Sequence, residues 1–435
     1  MKAIIMAGGR GTRIASVASD VPKPMIRVCG KPILEYQIEN LRHCGLTEIT
    51  LVIGHLGHVI KEHFGDGAQF GVNISYYEEL SPLGTAGALL KMNGLSEDFV
   101  LMCGDLMMDV DFERFITFHN ESEAWASLMV HPNDHPFDSS IIVTETLDPQ
   151  RAGGFPIETH RVTKWINKED KRMVYRNLVN AGVEIISPKL IEHVRQNFVP
   201  RHPENPDKVD LDRDMLKPNI ASGKIFAYHT TEYIKDMGTP ERFHEVERDL
   251  LSGKINARNL ERRQKAVFLD RDGTINIEKG FLTDAEDFEL IDGAAKAIRM
   301  INQSEYLAVV CTNQPVIARG ECTFDKLREI HDKMETLLGQ EGAYLDAIYY
   351  CPHHPDKGFE GERPEYKIDC DCRKPNDGLL RKAAADFNID LSESIMIGDR
   401  EKDIEAGERA GCKLSLLIGR NEPGALLNAI MEILK

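Results

Sequence analysis

Two segments of this chain each join an apolar strand to a turn of a kind that binds phosphate groups. The first, Met1–Met25, contains AIIMAGGRGTR and then VPKPM; the second, Val267–Ile275, contains DRDGT beginning at Asp270. Glycines let a backbone approach a polyphosphate and offer it N–H donors. Carboxylates two residues apart on an extended strand point the same way. The first segment therefore suits binding of a nucleoside triphosphate and the second suits cleavage of a phosphate monoester, which predicts two consecutive steps on one phosphorylated metabolite.

Length, charge and cysteine content narrow the class of protein. The 435 residues suffice for two or three domains, and 42% hydrophobic with 28% charged residues is a globular composition. A net charge of −17 argues against nucleic-acid or membrane-surface binding, which needs an extended basic face. Met1–Met6 is too short for a signal-peptide core, and no apolar run approaches the roughly 20 residues of a membrane span. The nine dispersed cysteines suit a reducing compartment. We therefore expect a cytoplasmic protein without nucleic-acid or membrane partners.

Strand-like apolar runs alternate with helical patterns in the first half, which predicts an α/β domain with a largely parallel sheet. Strands are predicted at 49–53, 99–103 and 126–130, and a helix at 33–44. The charged stretch 241–264 predicts a connecting helix broken at Ser252-Gly253. From Lys265 a new alternating series begins, with strands at 308–311 and 394–397. The expected domains are therefore 1–240 and 265–435.

The N-terminal glycine turn, residues 8–13, does not match two common phosphate-binding motifs. A dinucleotide fingerprint would need glycine in place of Ile14, and a P-loop would need Gly-Lys-Ser/Thr. By itself the turn could also be a strand-to-helix connection without a ligand. The next motif, Pro22-Lys23-Pro24-Met25, holds a lysine between two prolines that restrict its backbone. The later motifs are 30–32 (GKP), 83–87 (LGTAG) and 104–105 (GD).

This ordered series resembles the sugar-1-phosphate nucleotidyltransferases over about the first 240 residues. The segment RIASVASDVPKPM, residues 13–25, is most similar to D-glycero-α-D-manno-heptose 1-phosphate guanylyltransferases. The resemblance implies a Rossmann-like, glycosyltransferase-A-like domain in which Arg13 and Lys23 neutralise the triphosphate. Asp105 and Asp236 would share one Mg²⁺. It further implies nucleotide contacts from Gly8, Gly9, Gly11, Thr12, Glu79, Gly84 and Thr85, and sugar-phosphate contacts from Lys168, Asn180 and Gly182.

Three further segments of the second half support the DRDGT motif. They are Thr312-Asn313-Gln314 after one strand, Arg373-Lys374-Pro375, and Gly398-Asp399-Arg400 with Asp403 after another strand. This order resembles the haloacid-dehalogenase phosphatases, a Rossmann-like α/β fold. The strings DRDGTIN, TNQ…IARG and CPHHP…CDCRKP are most similar to D-glycero-D-manno-heptose 1,7-bisphosphate 7-phosphatases, with histidinol-phosphate phosphatases as the nearest competitor.

The second resemblance also implies roles for individual residues. Asp270 would be the nucleophile and Asp272 the acid/base, whose backbone carbonyl also reaches Mg²⁺. Asp399 would complete the magnesium site, together with Asp270 and Asp272. The transferring phosphoryl group and the rest of the substrate would be held by Thr312, Asn313, Lys374 and Arg373.

Four residues between these motifs have the composition of a zinc site. Cys351-Pro-His353 and Cys370-Asp-Cys372 supply three thiolates and an imidazole in two close pairs. Such a set fits a closed tetrahedral Zn²⁺ site, which we expect to be structural and to hold a long loop beside Arg373.

Five positions depart from the two family patterns. Asn167 replaces the usual Glu and Ala18 a frequent Thr, which leaves the sugar-side specificity of the transferase open. Pro315-Val316 replaces the usual Ser-Gly, and Arg400 stands where Lys is common. The last two changes lie near the expected phosphate site but leave the nucleophile in place.

Together the two resemblances predict a bifunctional enzyme of nucleotide-activated heptose synthesis. Its substrates would be heptose 1,7-bisphosphate, heptose 1-phosphate and GTP or another nucleoside triphosphate; a homo-oligomer is left open. One alternative is a mannose-1-phosphate-type transferase fused to a phosphatase of other specificity. Another is a regulatory protein with a degenerate sensor domain, although the expected cations and carboxylates are all present.

Overall fold

The computed structural model describes residues 1–9, 21–147, 157–358 and 360–435, and these form two large β-sheets, each covered on both faces. Arg13, Gly11 and Thr12 lie outside the described residues, as does Ala18. The strands of the first half are β1 (Lys2–Met6), β2 (Arg27–Val28), β3 (Lys31–Pro32), β4 (Glu48–Ile53), β5 (Asn73–Glu78), β6 (Phe99–Cys103), β7 (Leu106–Asp109), β8 (Ala126–His131), β9 (Ile141–Leu147), β10 (Ile157–Ile166), β11 (Val179–Ile186), β12 (Ile225–His229) and β13 (Tyr233–Asp236).

The helices of the first half pack on both faces of its sheet. They are α1 (Ile33–His43), α2 (Gly57–Phe64), α3 (Gly87–Lys91), α4 (Phe112–Ser122), α5 (Pro188–Asn197), α6 (Pro240–Leu251) and α7 (Lys254–Ala257). In β1, Ala3 and Ile5 join one core while Ile4 joins the core on the other face. All three are fully buried, as expected for a continuous apolar run in the middle of a sheet.

The first sheet has nine strands in the order β5-β4-β1-β6-β11-β8-β12-β10-β9. Strands β5, β4, β1 and β6 are parallel, as predicted, but β11 runs antiparallel to both β6 and β8. Beyond β6, strands β8 and β12 are parallel but β10 is antiparallel to both β12 and β9, so the expectation of a largely parallel sheet is wrong for this half. Antiparallel neighbours need no crossover helix between them, and β9 pairs antiparallel with both β10 and β11.

The second sheet is fully parallel, in the order β16-β15-β14-β17-β18. Val267 and Leu269 of β14 face one core, and Ala266 and Phe268 face the other. Its elements are β14 (Lys265–Leu269), β15 (Tyr306–Asn313), β16 (Ala347–Cys351), β17 (Ile395–Gly398), β18 (Leu414–Leu417), α8 (Ala294–Asn302), α9 (Phe324–Gln340), α10 (Gly378–Phe387), α11 (Glu401–Ala410) and α12 (Ala425–Ile433).

The segment between the two sheets is helical only in its first part. Helix α6 ends at Leu251, and Gly253 adopts a positive φ of 82° before the short helix α7. Residues 258–264 are not helical, because their polar groups bond to both sheets: Arg258 pairs with Asp346 at 2.8 Å and the Leu260 N–H donates to Glu232 at 3.0 Å. Among the described residues, no helix is both long and apolar enough to cross a membrane.

Candidate active sites and metal centre

The carboxyl ends of three neighbouring parallel strands bring the expected phosphatase residues together. Asp270 follows β14, Thr312 lies at the end of β15 and Asp399 follows β17. Because β14 lies between β15 and β17, all three side chains meet at one edge of the sheet, where α/β proteins place their ligands. Asp270 and Asp399 are buried there.

Lys374 lies between two carboxylates at this edge, those of Asp270 and Asp403. Its ammonium is 2.8 Å from Asp270 and 2.6 Å from Asp403, and its side chain is buried. Burial would lower the pKa of Lys374, but the two carboxylates outweigh burial and raise it, so the lysine is charged. A charged lysine that touches the expected nucleophile can neutralise a phosphoryl group arriving at the same place.

Three carboxylates at this edge could hold a cation. Asp270, Asp399 and Asp403 place one oxygen each within 4.8 Å of one another. Oδ1 of Asp399 is buried and, within the described part of the chain, has no hydrogen-bond partner, while its Oδ2 accepts from Arg420 at 2.6 Å. An unpartnered carboxylate oxygen beside two other carboxylates fits a hard divalent cation. Asp403, which was not among the expected metal ligands, belongs to this group, whereas the carboxylate of Asp272 does not.

Asp272 is held away from that group by a set of donors. Arg271 is fully buried and reaches both Asp272 oxygens at 2.8 Å, and the amides of Gln314 and Asn276 add bonds of 2.8 and 3.1 Å. Burial pushes the pKa of Asp272 upward, but the charge of Arg271 and these hydrogen bonds outweigh it and lower the pKa. Asp272 is therefore ionised in this state and must take up a proton before it can act as an acid.

Asn313 supports Lys374 directly. Its amide donates to the Lys374 carbonyl oxygen at 2.9 Å and accepts from the Lys374 N–H at 3.0 Å. Asn313 therefore positions Lys374, and a contact of its side chain with a phosphoryl group stays a prediction. The hydroxyl of Thr312 accepts from the Gln314 amide at 3.1 Å, and the same amide donates to Asp272.

The predicted zinc ligands form a compact cluster. The three Sγ atoms are 3.2–3.6 Å apart, and Nδ1 of His353 lies 3.4 Å from Cys372 and 3.7 Å from Cys351. A tetrahedron with Zn–S bonds of about 2.3 Å would separate sulfurs by about 3.7 Å, so small shifts suffice to accommodate the ion. Arg373 donates to the carbonyl oxygen of His353 at 3.1 Å, which connects this cluster to Lys374.

The expected transferase residues line a cavity of about 600 Å³ in the first half of the chain. Six of them take part, from five separate segments: Thr85, Asp105, Lys168, Asn180, Gly182 and Asp236. Residues of the second half, among them Arg299 and Gly342, line the same cavity. Its wall therefore comes from both halves of the chain.

Each of the two expected metal carboxylates of the transferase has a cationic partner. Lys23 forms an ion pair with Asp105, and Arg242 binds both oxygens of Asp236 at 2.9 and 2.7 Å. Burial would raise the pKa of Asp236, but Arg242 outweighs it and lowers the pKa, so this carboxylate is ionised. The backbone N–H of Met237 donates to the Asp105 carbonyl oxygen at 3.0 Å, which brings the two acidic residues side by side.

The expected nucleotide contacts fall into two places. A Cβ at Gly8 would lie 2.9 Å from Oε2 of Glu79 and 3.3 Å from the Gly54 nitrogen, so the glycine turn packs closely on Glu79, while Gly9 faces open space. Oε1 of Glu79 is buried without a partner in the described residues, and burial raises the pKa of this carboxyl. The turn of Gly84 and Thr85 packs on residues 209–211, where the Thr85 hydroxyl accepts from the Leu211 N–H at 2.7 Å.

Two acids that sequence reasoning missed, the buried Glu184 and the half-buried Asp212, lie beside Asn180. Its amide donates to Glu184 at 3.2 Å and to Asp212 at 3.5 Å, and its oxygen accepts from Gly182 at 3.3 Å. Burial raises the pKa of Glu184 to about 8, helped by Asp212, and raises the pKa of Asp212 to about 7. These are neutral or half-neutral carboxyls that can donate as well as accept hydrogen bonds in the cavity. Lys168 is exposed at the rim.

The first and second halves of the chain are similar to different known proteins. A family model described as Nucleotidyl transferase matches residues 2–253, and one described as HAD-hydrolase-like matches residues 371–428. A D-glycero-beta-D-manno-heptose-1,7-bisphosphate 7-phosphatase from Haemophilus influenzae is 42% identical over 160 residues, which are 37% of this chain and 84% of that relative.

Solved structures resemble each half as well. A crystal structure of HddC from Yersinia pseudotuberculosis, complexed with GMP-PN, is 24% identical and covers 57% of this chain and 99% of its own, with a TM-score of 0.43. A D,D-heptose 1.7-bisphosphate phosphatase from B. bronchiseptica, complexed with magnesium and phosphate, is 31% identical and covers 39% and 98%, with a TM-score of 0.34. On the extent of the family model and of the phosphatase relative, the chain belongs to the nucleotidyl transferase family and, in its second half, to the HAD-type phosphatases.

Proposed function

We propose that this bifunctional enzyme removes the 7-phosphate of a heptose 1,7-bisphosphate and then joins the resulting heptose 1-phosphate to a nucleotide. The observation that carries the proposal is the contact of Asp270 with Lys374 in a chain whose phosphatase half is 42% identical to a heptose bisphosphate phosphatase. The likeness of the first half to heptose 1-phosphate guanylyltransferases makes GTP the expected donor and supplies the second step.

In the phosphatase site, the carboxylate of Asp270 attacks phosphorus in line and forms an aspartyl phosphate, while Lys374 neutralises the phosphoryl oxygens. Asp272 gives a proton to the leaving sugar oxygen and later takes one from the attacking water. Because Asp272 is ionised in the state described, substrate binding has to displace Arg271 or Gln314, and Asp272 then takes up from solvent the proton that it gives to the leaving oxygen. Asp270, Asp399 and Asp403 would hold Mg²⁺, which supplies charge neutralisation at the phosphate.

In the transferase site, the sugar phosphate oxygen attacks the α-phosphorus and pyrophosphate leaves, so the protein contributes mainly position and charge. Lys23 and Arg13 would stabilise the leaving phosphates, and Asp105 with Asp236 would hold Mg²⁺. Lys168 would bind the sugar phosphate, and Asn180 with Gly182 the sugar. The zinc ligands hold the loop that carries Arg373 and have no role in the chemistry.

The proposal is tested by supplying substrates to the purified chain. Heptose 1,7-bisphosphate and histidinol phosphate are compared as sources of inorganic phosphate, and heptose 1-phosphate is offered with each of the four nucleoside triphosphates while pyrophosphate is measured. We expect phosphate from the bisphosphate and pyrophosphate with GTP. Preference for histidinol phosphate, or no pyrophosphate with any nucleotide, would refute the heptose assignment.

A further inference from the structure

Helix α9 of the phosphatase half packs against the transferase half. A Cβ added at Gly339 would lie 2.9 Å from Cγ of Pro136, so the absence of a side chain lets the helix backbone approach the proline ring. One turn earlier, the buried hydroxyl of Thr336 accepts from the Tyr175 N–H at 2.9 Å, with the Tyr175 carbonyl oxygen at 3.1 Å. Two segments of the transferase, around 136 and 175, therefore rest on one helix of the other enzyme.

These two segments are also tied to each other. The side chain of Asn177 accepts from the Asn133 N–H at 3.2 Å and donates to the Asn133 carbonyl oxygen at 2.7 Å. Arg172 donates to the Pro136 carbonyl oxygen at 2.7 Å and to that of Asn167 at 3.3 Å. We call residues 133–139 the clamp loop. Arg172 and Asn177 thus hold the clamp loop in place, and Arg172 also connects it to the turn that carries Lys168.

The clamp loop in turn reaches the expected metal carboxylate of the transferase. Oδ2 of Asp138 accepts from Arg242 at 2.6 Å, and Arg242 binds both oxygens of Asp236. Nε2 of His135 lies 4.0 Å from Oδ2 of Asp236. A shift of the clamp loop would therefore move Arg242 and, through it, Asp236.

We propose that helix α9 is a positioning element of the transferase site, and that Gly339 and Thr336 are positioning residues of a reaction carried out in the other half of the chain. Neither residue touches substrate. Gly339 contacts the clamp loop and Thr336 contacts the 172–177 segment, and these contacts keep Asp236 and Lys168 facing the cavity. This inference rests on the proposed transferase function.

The same residues lie far from the phosphatase chemistry along the helix. Strand β15 ends at the catalytic edge, and the parallel strand β16 begins at the opposite edge, so the connection through α9 must run back across the sheet. Thr336 and Gly339 lie in the last two turns of α9, next to the start of β16. Variants at these positions therefore separate the two activities.

The test uses the full chain with Gly339→Ala and Thr336→Val, measuring phosphatase and transferase kinetics separately. The controls are Thr336→Ser, which keeps the hydroxyl, and Gln340→Ala, an exposed position of the same helix. We expect Gly339→Ala and Thr336→Val to lower transferase kcat/KM roughly 10- to 100-fold, mainly through KM for the sugar phosphate, because small displacements of positioning groups cost that much. Phosphatase kinetics and both controls should match the wild type, and hydrogen exchange at the Tyr175 amide should accelerate in Thr336→Val.

Two results would overturn the inference. Faster exchange at Tyr175 with unchanged transferase kinetics would show that the contact has no effect on the site. An equal loss of both activities in Gly339→Ala and Thr336→Val would give α9 a purely stabilising role. A wild-type chain that makes no pyrophosphate would instead refute the proposed function itself.

Discussion

Glu184 is a buried carboxyl whose protonation depends on the fold. The pKa of Glu184 rises from 4.5 to about 8 and that of Asp212 from 3.8 to about 7, in both cases chiefly through burial. Between about pH 4 and 8 the folded chain therefore binds more protons than the unfolded chain, and its stability falls as the pH rises through this window. The two carboxyls lie in the expected sugar site, where their ionisation lowers the free energy of unfolding.

The corresponding prediction concerns Glu184→Gln. The variant keeps the shape and removes the ionisation, so the fall in stability between pH 6 and pH 9 should shrink by up to a few kcal/mol. The measurement is the free energy of unfolding of the full chain against pH, with Glu192→Gln, an exposed acid, as control. A wild-type free energy of unfolding that does not fall over this range, or falls equally in Glu184→Gln, would contradict a buried acid of raised pKa.

The site residues that the sequence predicted belong to recognisable motifs, whereas the residues that it missed do not. Asp270 and Asp399 come together because each follows a parallel strand, and Lys374 reaches Asp270 from the loop that precedes α10. Arg242 and Arg420 belong to no such motif; their contacts with Asp236 and Asp399 depend on the packing of separate segments. Arg420 lies 21 residues from its partner in sequence, which no local pattern reveals.

The zinc loop is the element for which sequence and structure agree in most detail. Spacing predicted the four ligands, and the structure gathers them and ties Arg373 to His353. The elements of the sheets were also readable from apolar runs: β4, β6 and β8 each match a predicted strand within a residue. Strand direction was not readable, because an antiparallel strand such as β11 has the same apolar pattern as a parallel one.

Replacing one zinc ligand should disable the phosphatase without touching its carboxylates. Cys372→Ser removes a thiolate, so the loop carrying Arg373 and Lys374 loses its anchor, and we expect phosphatase activity to fall at least about tenfold with loss of bound zinc. Zinc content by mass spectrometry and phosphate release are the measurements. Cys412→Ser, a cysteine outside the cluster, is the control. A wild-type chain that purifies without zinc and is fully active would contradict this account of the loop.

At the scale of the whole molecule, a buried ion pair joins the linking segment to the second sheet. The side chains of Arg258 and Asp346 are each almost fully buried, and Arg258 also donates to the Tyr306 carbonyl oxygen at 2.7 Å. Removing one partner leaves a buried charge without compensation. The same segment also bonds to the first half, through the Leu260 N–H and Glu232, so the two halves of the chain are not independent in stability, although their chemistry is separate.

Arg258→Ala should accordingly destabilise the protein by about 3–5 kcal/mol. The surface pair of Arg263 and Asp390, 3.4 Å apart, offers a matched control: Arg263→Ala should cost less than about 1 kcal/mol. Urea unfolding measured on both variants tests the difference. If both substitutions lowered the free energy of unfolding by the same small amount, the ion pair of Arg258 would be accessible to water and not buried.

The central claim is that two separate sites on one chain act in sequence, and one experiment tests it directly. Heptose 1,7-bisphosphate and GTP are given together to the wild type, to Asp270→Asn and to Asp105→Ala, and inorganic phosphate and pyrophosphate are followed. The wild type should release both; Asp270→Asn should release neither until heptose 1-phosphate is added, which restores pyrophosphate; Asp105→Ala should release phosphate alone. Pyrophosphate from Asp270→Asn without added heptose 1-phosphate, or loss of both products in Asp105→Ala while the protein stays folded, would contradict the claim.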